Sequence, residues 1–105
     1  MKIIIENKTF YIDEANTFLK RFIGLLFKKN ISTGLLFSNC NSVHTFFMKE
    51  SIDIVMIDYN NKVLLVKKAV PKNRIIYKKE AYHTIELPSN SINNLKIGET
   101  LIIKD

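Results

Sequence analysis

Several residue types are scarce in this 105-residue sequence, which has one cysteine, three glycines, two prolines and no tryptophan. The lone Cys40 excludes an intrachain disulfide and a zinc site built from several cysteines. So few glycines and prolines exclude a collagen-like or low-complexity chain. No apolar run approaches the roughly 20 residues that a membrane-spanning helix needs, and Met1–Glu6 lacks the features of a secretory signal. We therefore expect a soluble, cytoplasmic protein.

The sequence does contain enough apolar material for a core, since 47% of its residues are hydrophobic and 25% are charged. This length and this balance are typical of one globular domain. We expect a single domain that spans residues 1–105.

The positive charge is concentrated in one stretch of the chain. The formal net charge is +6, and the segment Lys62–Lys79 carries seven basic residues and no acidic one. Such a segment can bind nucleic acid or another anionic surface. Only two of the sixteen basic residues are arginine, the residue that makes bidentate contacts to phosphate and guanine. Nucleic-acid binding is therefore the weaker hypothesis, and a solvated lysine-rich surface is the alternative.

Most of the chain has the pattern of short β-strands separated by turn residues. Asn60-Asn61 is typical of a hairpin, because asparagine tolerates the positive φ of a two-residue turn. The predicted strands are Lys2–Glu6, Thr9–Ile12, Gly34–Phe37, Val43–Met48, Ile54–Tyr59, Lys62–Val70, Ala81–Leu87 and Glu99–Ile103.

One helix is predicted over Thr17–Leu26, where Phe18, Phe22 and Leu26 recur at helical spacing. The predicted fold class is mostly β (α+β), a small β-sandwich or barrel of six to eight short strands with this one helix packed on it.

The segment Val43–Met48 stands out because both faces of the predicted strand are largely apolar. Alternation places His44 and Met48 on one face and Thr45 and Phe47 on the other. A strand with two apolar faces is covered on both sides or lines a groove, so we expect His44 to be partly buried.

A set of short motifs carries a family resemblance. The central one is His44-Thr45-Phe46-Phe47-Met48-Lys49, followed by Ile52-Asp53-Ile54. The others are A-x-T-x-x-x-R-x-x-G-L-L from Ala15, Gly34–Phe37, Ile57-Asp58, Pro71, Ile85–Leu87 and Ile97–Glu99. Together they resemble DUF192, a family of small uncharacterised proteins of bacteria and archaea. The sequence departs from that pattern at Phe47, Glu50 and Pro88–Asn90, where the family commonly has Trp, Asn, and a small residue with Gly. The resemblance implies a compact, mostly β domain with one short helix and no established activity.

Residues of the central motif, two carboxylates and one arginine predict a candidate pocket. Its members are His44, Thr45, Phe47, Met48, Lys49, Asp53, Glu86 and Arg21. In an enzyme, His44 would be the general base and Asp53 or Glu86 would orient its imidazole. Arg21 or Lys49 would then neutralise an anionic substrate. A histidine bonded to a carboxylate is equally a common internal contact, and Arg21 could join the helix to the sheet.

The sequence predicts no metal ion and no cofactor. His44 and His83 lie far apart and form no H-x-x-x-H pattern, so only the fold could bring them together. Alternation along the predicted strand also points His83 and Glu86 to opposite faces.

The predicted function is that of a small binding or accessory module with a polar and aromatic groove around His44–Lys49. Its partner would be a small polar ligand or another protein. A small enzyme that acts on a polar or anionic substrate through His44, Asp53 and Glu86 is the alternative. Nucleic-acid binding through residues 62–79 is the third hypothesis.

Overall fold

The computed structural model describes residues 1–14, 34–46, 48 and 50–105. These residues form nine strands, which are β1 (Lys2–Ile5), β2 (Lys8–Glu14), β3 (Gly34–Ser38), β4 (Ser42–His44), β5 (Ile52–Ile57), β6 (Val63–Val70), β7 (Ile75–Tyr77), β8 (His83–Pro88) and β9 (Ile102–Lys104). None of the described residues is helical, and the helix predicted over Thr17–Leu26 lies outside them. The prediction of a mostly β domain is confirmed, with nine strands in place of six to eight.

Seven strands form one sheet in the order β6-β5-β8-β3-β2-β1-β9, and β4 and β7 form a separate two-stranded sheet that we call the ribbon. Within the large sheet β2 and β3 are parallel, whereas the other neighbours are antiparallel. The sheet curls so that the chain segments at its two edges are joined by backbone hydrogen bonds at one end. There the Val63 N–H donates to the Glu99 carbonyl at 2.8 Å, and the Leu101 N–H donates to the Asn61 carbonyl at 2.9 Å. The large sheet is therefore a half-barrel.

Two apolar clusters cover the two faces of this sheet, because alternate residues of a strand point to opposite sides. The inner core lies inside the curl and contains Ile3, Ile5, Ile12, Leu36, Val55, Ile57, Val63, Ile85, Leu87, Ile92, Leu95 and Leu101. The outer core lies between the other face and the ribbon and contains Leu35, Phe37, Val43, Met48, Ile52, Ile54, Met56 and Val70. Strand β5 is covered on both faces, and all six of its residues are buried.

The turns follow local chemistry. The hairpin predicted at Asn60-Asn61 is confirmed, since it joins β5 to β6 and Asn61 has a φ of 65°. The Asp58 carboxylate accepts hydrogen bonds from the N–H groups of Asn60 at 2.8 Å and Lys62 at 2.9 Å. A side chain that bonds its own turn in this way fixes the hairpin register.

The prediction of a continuous strand over Val43–Met48 is wrong. Strand β4 ends at His44, and the chain turns at Phe46. Thr45 is fully buried and directs its hydrogen bonds to the loop before β7 instead of to a neighbouring strand. Strand β7, which pairs with β4, has no counterpart among the predicted strands.

Candidate functional site

The ribbon has one buried face and one exposed face. Val43 and Ile76 are opposite each other in its register and pack into the outer core. The alternate positions His44, Ile75 and Tyr77 face solvent. Ile75 is 64% exposed and Tyr77 is 58% exposed. The ribbon thus displays large apolar side chains on a face that the described part of the chain leaves open.

His44 and Phe46 form a stacked pair beside these residues. Their ring centroids are 5.2 Å apart and the ring planes are inclined by 28°. The Phe46 N–H donates to His44 Nδ1 at 3.3 Å, so the turn after β4 fixes the imidazole against the phenyl ring. Both side chains are exposed, and the expectation that His44 is partly buried is wrong. Strand β4 ends at His44, so the apolar alternation predicted for Val43–Met48 does not continue beyond this residue, and His44 lies on the solvent-facing side of the ribbon.

Thr45 holds this part of the ribbon in one geometry. Its hydroxyl donates to the Pro71 carbonyl at 2.7 Å and accepts from the Arg74 N–H at 2.9 Å. Its own N–H donates to the Arg74 carbonyl at 2.9 Å, and its carbonyl accepts from the N–H groups of Asn73 and Met48 at 3.2 Å. Thr45 therefore provides hydrogen-bond partners for backbone N–H and C=O groups of this loop that would otherwise have none.

Basic residues flank β7 at both ends. Lys72 and Arg74 precede the strand, Lys78 and Lys79 follow it, and no acidic residue lies between them. Glu80 comes next and pairs with Lys78 at 3.8 Å, with both side chains exposed. An exposed ion pair of this kind contributes little stability and neutralises one cation. The exposed face of the ribbon is therefore bordered by a net positive charge.

Asp53, a predicted site residue, is fully buried and its carboxylate is fully engaged. One oxygen accepts from the Ala69 N–H at 2.8 Å. The other accepts from the N–H groups of Ser91 at 2.9 Å and Ile92 at 3.1 Å. The carboxylate thus joins β5 to the end of β6 and to the loop after β8. Its oxygens already serve the backbone, so the geometry assigns Asp53 a structural role.

Glu86, the second predicted carboxylate, is buried in the outer core. It lies opposite Leu35 on β3 and opposite Ile54 on β5, and both neighbours belong to that core. Burial raises the pKa of Glu86 to about 8. At neutral pH the group is mainly a carboxylic acid, which can donate a hydrogen bond.

The described residues do not unite the predicted acid–base set. Ile54 and Glu86 share one face of the sheet, so Asp53, the neighbour of Ile54, points to the other. His44 stands on the exposed side of the ribbon. Thr45 and buried Met48 lie together at the base of the ribbon.

Three members of the predicted pocket, Arg21, Phe47 and Lys49, lie outside the described residues. Within the described ranges, no group of three or more His, Cys, Asp or Glu side chains is arranged to hold a metal ion.

Ile75 and Tyr77 are the members of the exposed face that sequence reasoning missed. The sequence does contain a pattern that indicates a strand here, because Ile75-Ile76-Tyr77 is a run of three β-forming residues between basic ones. A run of only three such residues, directly after the turn residues Pro71 and Asn73, does not by pattern alone distinguish a strand from a loop.

A small half-barrel β domain that displays a two-stranded ribbon is the class that this fold and surface define. The chain belongs to the DUF192 family, described as "Uncharacterized ACR", whose family model matches residues 1–103. The resemblance carried by the short motifs is thereby confirmed.

Archaeal relatives support the same assignment. The UPF0127 protein of Thermococcus sibiricus is 36% identical over 95 residues, which cover 83% of this chain and 62% of the relative. The UPF0127 protein of Pyrococcus horikoshii is 38% identical over 88 residues, which cover 78% and 76% of the two chains. The chain thus spans about three fifths of the first of these relatives.

Two crystal structures share the fold at low sequence identity. A protein from Sinorhizobium meliloti 1021 superposes with a TM-score of 0.82 and 15% identity, over 96% of this chain and 89% of that one. A protein of unknown function from Novosphingobium aromaticivorans gives a TM-score of 0.76 and 13% identity, over 97% and 82% of the two chains. Within the described part of the chain, no helix is long and apolar enough to cross a membrane.

Proposed function

We propose that the protein is a binding module and that its contact surface is the exposed side of the ribbon. We call this surface the binding face and define it as His44, Phe46, Ile75 and Tyr77. The observation that carries the proposal is the exposure of Ile75 and Tyr77 beside the stacked His44–Phe46 pair. Aromatic and aliphatic side chains grouped on a rigid surface are typical of protein contact sites.

The charge around the binding face selects the partner. Lys72, Arg74, Lys78 and Lys79 flank its strand β7 in the sequence, and Glu80 is the one acidic residue adjoining this run. Complementary charge steers association and fixes orientation, whereas apolar contacts at the centre supply affinity. The partner that fits is an acidic segment of another protein that also carries apolar side chains.

An extended conformation of the partner matches the shape of the ribbon. Ile75 and Tyr77 are two positions apart on one strand, so their side chains stand about 7 Å apart on the same face. An extended peptide repeats its side chains at the same interval, and it can therefore place an apolar group against each.

The competing hypotheses receive less support. An enzyme built on His44, Asp53 and Glu86 would need side chains that lie on three different surfaces of the described chain. Single-stranded nucleic acid could stack on Phe46 and Tyr77, but aliphatic Ile75 offers it little, and among the described residues Arg74 is the one arginine beside the face. A cytoplasmic site of action fits the single free thiol of Cys40.

Defined peptides test the proposal. The probe is a short fluorescent peptide that alternates glutamate with leucine and phenylalanine, and binding is measured by fluorescence anisotropy. One matched peptide replaces glutamate by glutamine, and another replaces the apolar residues by serine. We expect the acidic apolar peptide to bind most tightly, and added salt to weaken it more than the glutamine peptide.

Two double variants locate the contact. Ile75→Ser with Tyr77→Ser removes the apolar centre of the binding face, and Ile102→Ser with Tyr11→Ser is the control because Ile102 is 52% and Tyr11 62% exposed elsewhere. We expect a loss of about tenfold or more in the first variant and none in the control. Equal affinity of the two variants would reject the proposed face. Tighter binding of a short single-stranded DNA than of the peptide would favour nucleic acid instead.

A further inference from the structure

Strand β7 has one strand neighbour among the described residues, because it pairs with β4 in a sheet of two strands. Two further bonds continue this pairing at its ends. The Thr45 N–H donates to the Arg74 carbonyl at 2.9 Å, and the Lys78 N–H donates to the Asn41 carbonyl at 3.0 Å. Each of these pairs lies two positions from the central pair of the ribbon. Hydrogen-bonded and non-hydrogen-bonded pairs alternate along an antiparallel ladder, so the central pair is also hydrogen-bonded.

The backbone groups of Ile75 and Tyr77 therefore point away from β4. These two residues flank the central Ile76 and occupy the non-hydrogen-bonded pairs, whose N–H and C=O groups lie on the outer edge of the strand. No other backbone group of the described residues forms a hydrogen bond with them. The outer edge of β7 thus offers two N–H donors and two C=O acceptors, on the same two residues whose side chains form part of the binding face.

The charges beside β7 decide what can pair with this edge. An open strand edge can pair with the same strand of a second copy of the chain. In the antiparallel register that uses all four groups, Ile75 lies opposite Tyr77 of the second copy. Arg74 then lies opposite Lys78 of the second copy at both ends of the pairing, and like charges in this position are destabilising. An acidic segment is instead attracted at the same two positions.

We propose that the acidic partner of the binding face pairs with the outer edge of β7 as a third, antiparallel strand. This inference rests on the proposed function and specifies how that partner is recognised. Two partner residues opposite Ile75 and Tyr77 form all four hydrogen bonds, and their side chains stand on the binding face. The partner residues opposite Arg74 and Lys78 have side chains on the other side of the strand. The partner sequence that fits therefore alternates apolar residues with acidic ones.

N-methylated forms of the acidic apolar peptide test the pairing. An N-methyl group removes the N–H donor of its residue and blocks close approach of another strand there. One peptide is methylated on all its apolar residues, whose N–H groups face β7 in the proposed arrangement. The matched peptide is methylated on all its glutamates, whose N–H groups face solvent. We expect the first change to weaken binding at least about tenfold and the second to weaken it less than about twofold.

Amide hydrogen exchange gives the matching measurement on the protein. The Ile76 amide is the internal reference, because it belongs to the hydrogen-bonded central pair of the ribbon. In the free protein we expect the amides of Ile75 and Tyr77 to exchange faster than that of Ile76. When the unmodified peptide is saturating, we expect exchange at Ile75 and Tyr77 to slow at least about tenfold, because their N–H groups then donate to the peptide.

The failures of this inference and of the proposed function are distinguishable. If the unmodified peptide does not bind, both are rejected. Equal affinity of the two methylated peptides, or weaker binding of the one methylated on glutamate, would reject the edge pairing alone. Equal exchange of Ile75, Ile76 and Tyr77 in the free protein would show that the edge is not open. Protection of Ile75 and Tyr77 that rises with protein concentration, without peptide, would assign the edge to a second copy of the chain and overturn the inference.

Discussion

Replacement of Glu86 by glutamine is expected to remove a pH dependence of stability that the native carboxyl creates. Glu86 keeps its proton in the folded state up to a pKa of about 8, whereas an unfolded chain releases it near the ordinary value of 4.5. Between these two values the folded state binds more protons than the unfolded state. Stability must therefore fall as the pH rises through that window.

The magnitude follows from the same two values. Each pH unit well inside the window costs about 1.4 kcal/mol, and the cost per unit is smaller near either pKa, so the loss between about pH 5 and about pH 8 is at least about 3 kcal/mol. Glutamine is neutral at every pH and has nearly the same volume. The variant should match the native protein at the acidic end and exceed it by about 3 kcal/mol at the alkaline end.

Urea unfolding at a series of pH values measures this difference. The comparison with native protein cancels the contribution of His83, whose lowered pKa gives the opposite slope below its ordinary value of 6.5. Glu80→Gln is the control, because Glu80 is an exposed glutamate that pairs with Lys78. A difference between Glu86→Gln and native protein that is constant with pH would refute the reasoning.

Three further substitutions test the structural roles by urea unfolding. Thr45→Val keeps the shape but deprives the Arg74 N–H of its acceptor, so we expect a loss of about 1–3 kcal/mol, and full stability would contradict the role given to Thr45. Asp53→Ala leaves three backbone N–H groups without an acceptor, and a loss of about 3 kcal/mol or more is expected. A loss below about 1 kcal/mol would show that the Asp53 carboxylate is dispensable. His44→Ala should change stability by less than about 0.5 kcal/mol because the side chain is exposed, and a larger loss would mean that His44 has a buried partner.

The features predicted correctly from the sequence are those set by neighbouring residues. The β5–β6 hairpin depends on Asn61, which adopts positive φ, and on Asp58, which bonds the turn two and four residues later. Both requirements can be read within five consecutive positions. The mostly β class follows similarly from many short β-forming runs between turn residues.

The site could not be predicted in the same way, because it depends on pairing between distant strands. Asp53 and Glu86 are suitable partners by residue type, yet the β5–β8 register sets Glu86 opposite Ile54 and so places the two carboxylates on opposite faces. Thr45 has the character of a strand residue, yet its partners are Pro71 and Arg74 in a loop far along the chain. No local pattern specifies such contacts.

The most direct test of the binding face maps the amide signals that move when the acidic apolar peptide is added to labelled protein. We expect the largest NMR shifts at His44–Phe46 and Ile75–Tyr77, with smaller ones at the basic residues beside them. Residues of β2 and β9, which carry the control side chains Tyr11 and Ile102, and of β1 between them should not move. Shifts concentrated on those three strands, or an absence of saturable shifts on the ribbon, would contradict the proposed function.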